Sequence, residues 1–355
     1  MTRLLSVLAA ALTVPAIAFA QQGGPTVYGI VDASARHASG LTAANAPAAA
    51  SVNGVASGVN NTSRIGFRGR EDLGNGMYAL FNLETGLSAD TGATANATKF
   101  FDRAAIVGLG GALGQVTMGR QTNLLADAVS PVDPVGMRFA AFNPNIVTAA
   151  LSNHGLGVEY GATGSSSGSY RLDNSLKYTG AFGPVTARAM YGMGENTGST
   201  AAQHSAGAGL AYAAGGWVIS GAYQRFTTAA DLPLRAATLG AAYQFGRVRL
   251  AINTARSEAR TSATARAEQR THSAGATWSA TNTVELTAAW YRVERERTGA
   301  REDGYSRTML FAEYKLSRRT KLYAELDRTH WNAGYQGATA KPRATGISSG
   351  IVHSF

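Results

Sequence analysis

From Val27 to Phe355 the apolar side chains of this chain fall on alternate positions, within segments of about ten residues. A β-strand turns successive side chains to opposite faces. Beyond the first twenty residues the chain holds no apolar helix. One apolar face per strand, with no helix to cover it, implies a sheet wrapped in lipid rather than packed on a core. Such a sheet must close on itself, because an open edge cannot be hydrogen-bonded in a bilayer.

The alternation predicts an all-β fold, a transmembrane antiparallel β-barrel of sixteen strands. They are read at 26–37, 61–71, 76–88, 99–110, 113–121, 170–179, 184–194, 203–214, 217–228, 234–245, 247–258, 268–279, 283–295, 304–316, 320–332 and 344–355. Short turns such as Leu73-Gly74-Asn75-Gly76, Gly110-Gly111 and Ala214-Gly215-Gly216 alternate with longer polar stretches such as 38–60, 259–267, 296–303 and 333–343. Short turns on one side and long loops on the other are the plan of an outer-membrane barrel. Thr308, Leu310, Ala312, Tyr314 and Leu316 make one face of a strand, while Arg307, Glu313 and Lys315 make the other. The charged parity is expected to face a wet lumen, since charge facing lipid is costly. Tyr243, Trp278, Trp290 and Tyr314 fall on the apolar parity near strand ends, as membrane-interface girdles or subunit contacts require. A soluble sandwich also alternates, but with bulkier apolar positions and shorter strands.

Arg3, the apolar run Leu4 to Val14 and Ala18-Phe19-Ala20 read as a signal peptide over residues 1–20, cleaved to leave a single barrel domain over 21–355. The run is too short to span a bilayer as a helix. There is no cysteine, which removes disulfides and thiolate metal sites. The net charge of +10 admits anionic partners. For an exported chain these are small solutes or lipopolysaccharide phosphates rather than nucleic acid.

Several segments are similar to a known family. Val27-Tyr28-Gly29-Ile30-Val31-Asp32, Arg64-Ile65-Gly66-Phe67-Arg68-Gly69-Arg70-Glu71-Asp72-Leu73-Gly74-Asn75-Gly76, Leu83-Glu84-Thr85-Gly86, Asp102-Arg103-Ala104-Ala105-Ile106-Val107-Gly108-Leu109, Gly119-Arg120-Gln121, Asp173-Asn174-Ser175-Leu176-Lys177-Tyr178 and the final Gly350-Ile351-Val352-His353-Ser354-Phe355 follow in order. With them the chain resembles the general diffusion porins of Gram-negative outer membranes, especially the β-proteobacterial branch. The resemblance is most specific over 61–121 and at the C-terminus, and loose over 195–305. It implies sixteen strands, a homotrimer, and a third loop, within 122–169, folded into the pore. It also implies that the strand ending at Phe355 is read by the outer-membrane assembly machinery.

By motif position the resemblance places Arg64, Arg103 and Arg171 on the wall of the pore constriction and Asp133 on the facing loop. Arg36 and Arg68 share the lumen parity and extend the arginine row. A second loop acid, common in the enteric porins, is replaced here by Met137 and Arg138. Arginine keeps its charge when confined, and a narrow, low-dielectric passage strengthens the field. The expectation is a channel for small hydrophilic solutes that leans towards anions.

Other chemistry finds little support. His37, His154, His204, His272, His330 and His353 stand apart from one another, and no HExxH, P-loop or EF-hand pattern occurs. No nucleophile and base are visibly grouped, so no enzyme, cofactor or metal site is expected. A plugged, structural or adhesive barrel conflicts with the lumen charge, and a substrate-specific channel with the lack of a continuous aromatic track.

Overall fold

The computed structural model describes residues 24–149, 170–194, 204–227 and 232–355. The expected signal peptide at 1–20, and residues 150–169 of the long connection, lie outside the described residues. In chain order the elements are β1 (Thr26–Leu41), β2 (Pro47–Ser57), β3 (Arg64–Gly74), β4 (Met77–Gly86), β5 (Ala104–Gly111), β6 (Gly114–Thr122), α1 (Leu124–Val129) and α2 (Pro144–Ala149). There follow β7 (Arg171–Phe182), β8 (Val185–Gly192), β9 (Ser205–Ala214), β10 (Trp217–Thr227), β11 (Pro233–Phe245) and β12 (Val248–Arg260). The last are β13 (Arg266–Trp278), β14 (Val284–Arg297), β15 (Asp303–Lys315), β16 (Thr320–Asn332) and β17 (Arg343–Ser354).

Neighbouring strands pair antiparallel, and β1 closes the sheet on β17, from Ile30 opposite Ser354 to Ser39 opposite Thr345. The other edge of β1 is shared. Its N-terminal, short-turn end, Thr26–Ile30, pairs with β3, and its remaining length pairs with β2. β2 therefore sits in line with β3, and the wall has sixteen strand positions. The strand over 47–57 falls in the stretch read from sequence as a polar loop. Its Ala, Ser and Val residues carry little alternation, and it forms because β1 runs on to Leu41 and offers an edge. Asp32 makes the break between β2 and β3. One carboxylate oxygen accepts the N–H groups of Asn60 and Asn61, both at 2.6 Å, and the other the Tyr323 hydroxyl at 2.7 Å.

The short turns behave as their residues demand. Gly74, Asn75 and Gly76 all have positive φ, which Gly and Asn tolerate. Gly119, at φ 117°, shifts the register of β6 on β7 before Gln121. A Cβ there would collide with the Ala105 carbonyl, so only glycine permits this bulge.

The barrel is apolar on the outside. Leu210 is 61% exposed, and Leu239, Ile252, Leu310, Leu326 and Ile347 are exposed on the same outward parity. Trp217 packs on Tyr243 near the short turns, and Trp278, Trp290 and Tyr314 are also exposed. Patches this large mark contact with lipid or another subunit. No helix among the described residues is long and apolar enough to cross a membrane; the strands do so.

Burial is found on the inner parity, under the connection that follows β6. Leu124, Leu125, Ala126 and Ala128 of α1 pack with Met190, Ala222, Phe226, Leu234 and Ala236. Further along, Val135, Phe139 and Phe142 pack with Tyr291, Val293, Met309, Phe311 and Tyr323. The inner face of β8–β11 is rich in small and apolar residues, which is why an apolar helix settles there.

Candidate channel constriction

Arg64 opens β3, Arg103 immediately precedes β5, and Arg171 opens β7. The Arg103 N–H bonds the Glu84 carbonyl at 3.1 Å, so β4 holds the two side by side. The Glu84 carboxylate then lies between two guanidiniums, 2.6 Å from Arg103 Nε and 3.5 Å from Arg64 Nε. The Tyr28 hydroxyl approaches the same carboxylate at 2.9 Å. Arg171 lies with its Cζ 4.2 Å from the ring centre of Tyr170. Burial raises the Tyr170 pKa, but the charges of Arg171, Arg103 and Arg64 lower it, and the net shift is downward. The three arginines singled out in the sequence thus converge on one phenol. Arg120 and Lys99 extend the group, both paired to Asp173, Arg120 at 2.6 Å.

Arg36 stands apart from this group. It is 8% exposed and binds Glu325 at 3.0 Å and Asp327 at 2.7 Å. Its Cζ lies 4.9 Å from the ring centre of Phe139. Arg68 is exposed, with its Cζ 4.8 Å from the ring centre of Tyr28. Phe355 exchanges main-chain hydrogen bonds with Gly29, both at 3.1 Å, and its ring is half exposed.

Asp133 was expected to oppose the arginines, and the structure instead buries it completely. Asn143 at 2.9 Å, Asn145 at 2.8 Å, the Met137 N–H at 2.7 Å and the Tyr291 hydroxyl at 3.4 Å all donate to its carboxylate. Burial raises its pKa and these four donors oppose the rise. No arginine pairs with its carboxylate among the described residues; Arg249 binds its main-chain oxygen at 3.3 Å and that of Pro131 at 2.7 Å. Asp133 therefore folds the loop on itself and fastens it to β14. Among the described residues, the charges the loop presents are Asp127, held by Lys177 at 2.7 Å, and Arg138, held by Glu285 at 2.7 Å and by Glu313.

Asp133→Asn tests this fastening. An amide NH₂ would confront donors, and each buried group left unsatisfied costs about 1–3 kcal/mol. The expected result is a looser loop, read as increased noise in the open-channel current with the strand content by circular dichroism unchanged. A current trace identical to that of the parent would refute the role.

Sequence reading missed Glu84, Tyr170 and the pairing of Arg120. For Glu84 a signal exists: it sits in the quoted Leu83-Glu84-Thr85-Gly86 segment, opposite Gly66 on the parity of Arg64. Tyr170 offers none, since its place depends on how the strands around it are brought together.

A closed sheet, apolar outside and lined with charge inside, defines an outer-membrane β-barrel. A family model described as Gram-negative porin matches residues 5–334, and the chain belongs to that family. An outer membrane porin protein of Bordetella pertussis is 38% identical over 100 residues, covering 28% of this chain and 26% of that relative. The chain thus spans about a quarter of that relative's length in the match. Among solved structures, the anion-selective porin from Comamonas acidovorans superposes with a TM-score of 0.78 at 24% identity, covering 94% of this chain and 100% of that one. The trimer form of OmpT from Vibrio cholerae superposes with a TM-score of 0.69 at 16% identity, covering 94% and 99%.

Proposed function

We propose that this porin is a water-filled channel for passive diffusion of small hydrophilic solutes and ions, that it prefers anions, and that it acts as a channel rather than an enzyme. The observation that carries the preference is the arginine group in which Arg64 and Arg103 share the single Glu84 carboxylate and Arg171 stacks on Tyr170. The connection after β6, fastened along the inner face through α1, Phe139 and Phe142, narrows the passage opposite this group. Rings of fixed side-chain charge select ions without a binding pocket. The anion-selective porin from Comamonas acidovorans, with the same fold, supports this reading.

In the same reading the barrel is a homotrimer, like the trimer form of OmpT. The exposed arginines at the long-loop rim meet lipopolysaccharide phosphates, and the C-terminal strand ending at Phe355 is read by the assembly machinery. The test is planar-bilayer conductance with reversal potential in a potassium chloride gradient. Steps in groups of three, reversing towards the chloride potential, are expected. Arg64→Gln with Arg171→Gln is expected to move the reversal potential towards zero. A parent channel that reverses towards the potassium potential would sink the anion reading. A monomer on unheated electrophoresis would sink the trimer.

A further inference from the structure

Many arginines of the barrel are neutralised by a carboxylate. Arg36 is shared between Glu325 and Asp327, Arg64 and Arg103 share Glu84, Arg120 binds Asp173, and Arg138 binds Glu285 and Glu313. At the long-loop rim Arg256, Arg266, Arg270, Arg292, Arg295 and Arg297 each have a carboxylate partner as well. Arg68 and Arg70 differ. They lie towards the short-turn end of β3, a few residues before Gly74, on the parity of Arg64. Neither has a carboxylate within ion-pair distance among the described residues. Each is held by an aromatic face instead: Arg68 Cζ is 4.8 Å from the ring centre of Tyr28, and Arg70 Cζ 3.6 Å from that of Tyr78.

Those rings are themselves fixed. The Tyr28 hydroxyl lies 2.8 Å from Asn82 Oδ1 and 2.9 Å from Glu84 Oε2, and the Tyr78 hydroxyl 3.3 Å from Gln115 Oε1. A cation stacked on an aromatic ring is positioned without being neutralised. Stacking also uses only the face of the guanidinium, so its N–H edge stays available to an anion. The nearest acid of the same strand and parity, Asp72, accepts the Gly74 N–H at 2.9 Å in the turn below. Two residues apart on one strand, the two charges stand about 7 Å apart.

We propose that Arg68 and Arg70, stacked on Tyr28 and Tyr78, are specificity-determining residues that gather small inorganic anions at the short-turn mouth and feed them to the arginine cluster above. This rests on the anion reading of the channel. The test is reversal potential of the parent and of the Arg68→Gln, Arg70→Gln double variant in dilute and in concentrated potassium chloride. At 0.1 M the screening length is about 10 Å, and at 1 M about 3 Å. The variant is expected to lose at least half of the parent's shift towards the chloride potential in dilute salt and little in concentrated salt. Arg68→Lys with Arg70→Lys keeps the charge and is expected to keep most of the selectivity, which separates charge from folding. Heat-dependent electrophoretic mobility confirms that each barrel is folded. A parent that prefers chloride beside a folded double variant with the same reversal potential in dilute salt would overturn this proposal and leave the anion reading intact. A parent with no anion preference would overturn both.

Discussion

Alanine at both Phe139 and Phe142 is expected to raise the single-channel conductance and to leave the barrel standing. These two rings are the largest apolar groups by which the connection after β6 is fixed to β14–β16, and both are nearly fully buried. Truncating a buried Phe to Ala costs about 3–5 kcal/mol. Two such losses in one short segment exceed what its hydrogen bonds at Asp133 restore. The rings also form the roof over two buried cations: Arg36 lies against both, and Arg307 Cζ is 3.2 Å from the ring centre of Phe142. Removing them would open a wet path to Arg36, Glu325 and Asp327, which favours the released loop further. The strands keep their ladders, so heat-dependent mobility and far-ultraviolet circular dichroism should match those of the parent. Leucine at both positions should retain most of the anchoring. Unchanged conductance in the alanine variant would mean that the segment does not lie across the conducting path.

Glu84→Gln is expected to strengthen the anion preference. Glu84 is the carboxylate between Arg64 and Arg103, and Gln keeps its shape without its charge. The cluster then carries one more positive charge, and the reversal potential should move further towards that of chloride. The same substitution leaves Arg103, 6% exposed, without its anionic partner. Breaking a buried pair from one side costs about 3–5 kcal/mol, so the variant should also unfold at a lower temperature. Greater anion preference together with lower stability is the expected signature. A loss of stability with no change in reversal potential would place the cluster in the wall, away from the ion path.

Much of this molecule was legible in the chain. The alternation in β10–β17 marks the two faces almost residue by residue, because an outward Leu and an inward Glu on one strand have opposite solvents. Arg64, Arg103 and Arg171 were identified by segment similarity, and the structure brings them together. Inner-face apolar residues such as Tyr291, Met309 and Phe311 were harder to interpret, since they look misplaced in a wet lumen until the covering segment is present.

The sequence by itself determined the strand period, the outward apolar face, the turn positions and the excess of arginine, because each depends on side chains a few residues apart. Only the tertiary structure decided which charges remain uncompensated. Glu84 neutralises arginines from other strands, Asp133 turns into its own loop, and Arg68 and Arg70 meet tyrosines rather than carboxylates. Those outcomes depend on strand register and on where a long connection comes to rest. They are set by contacts between residues distant in the chain, which local pattern does not encode.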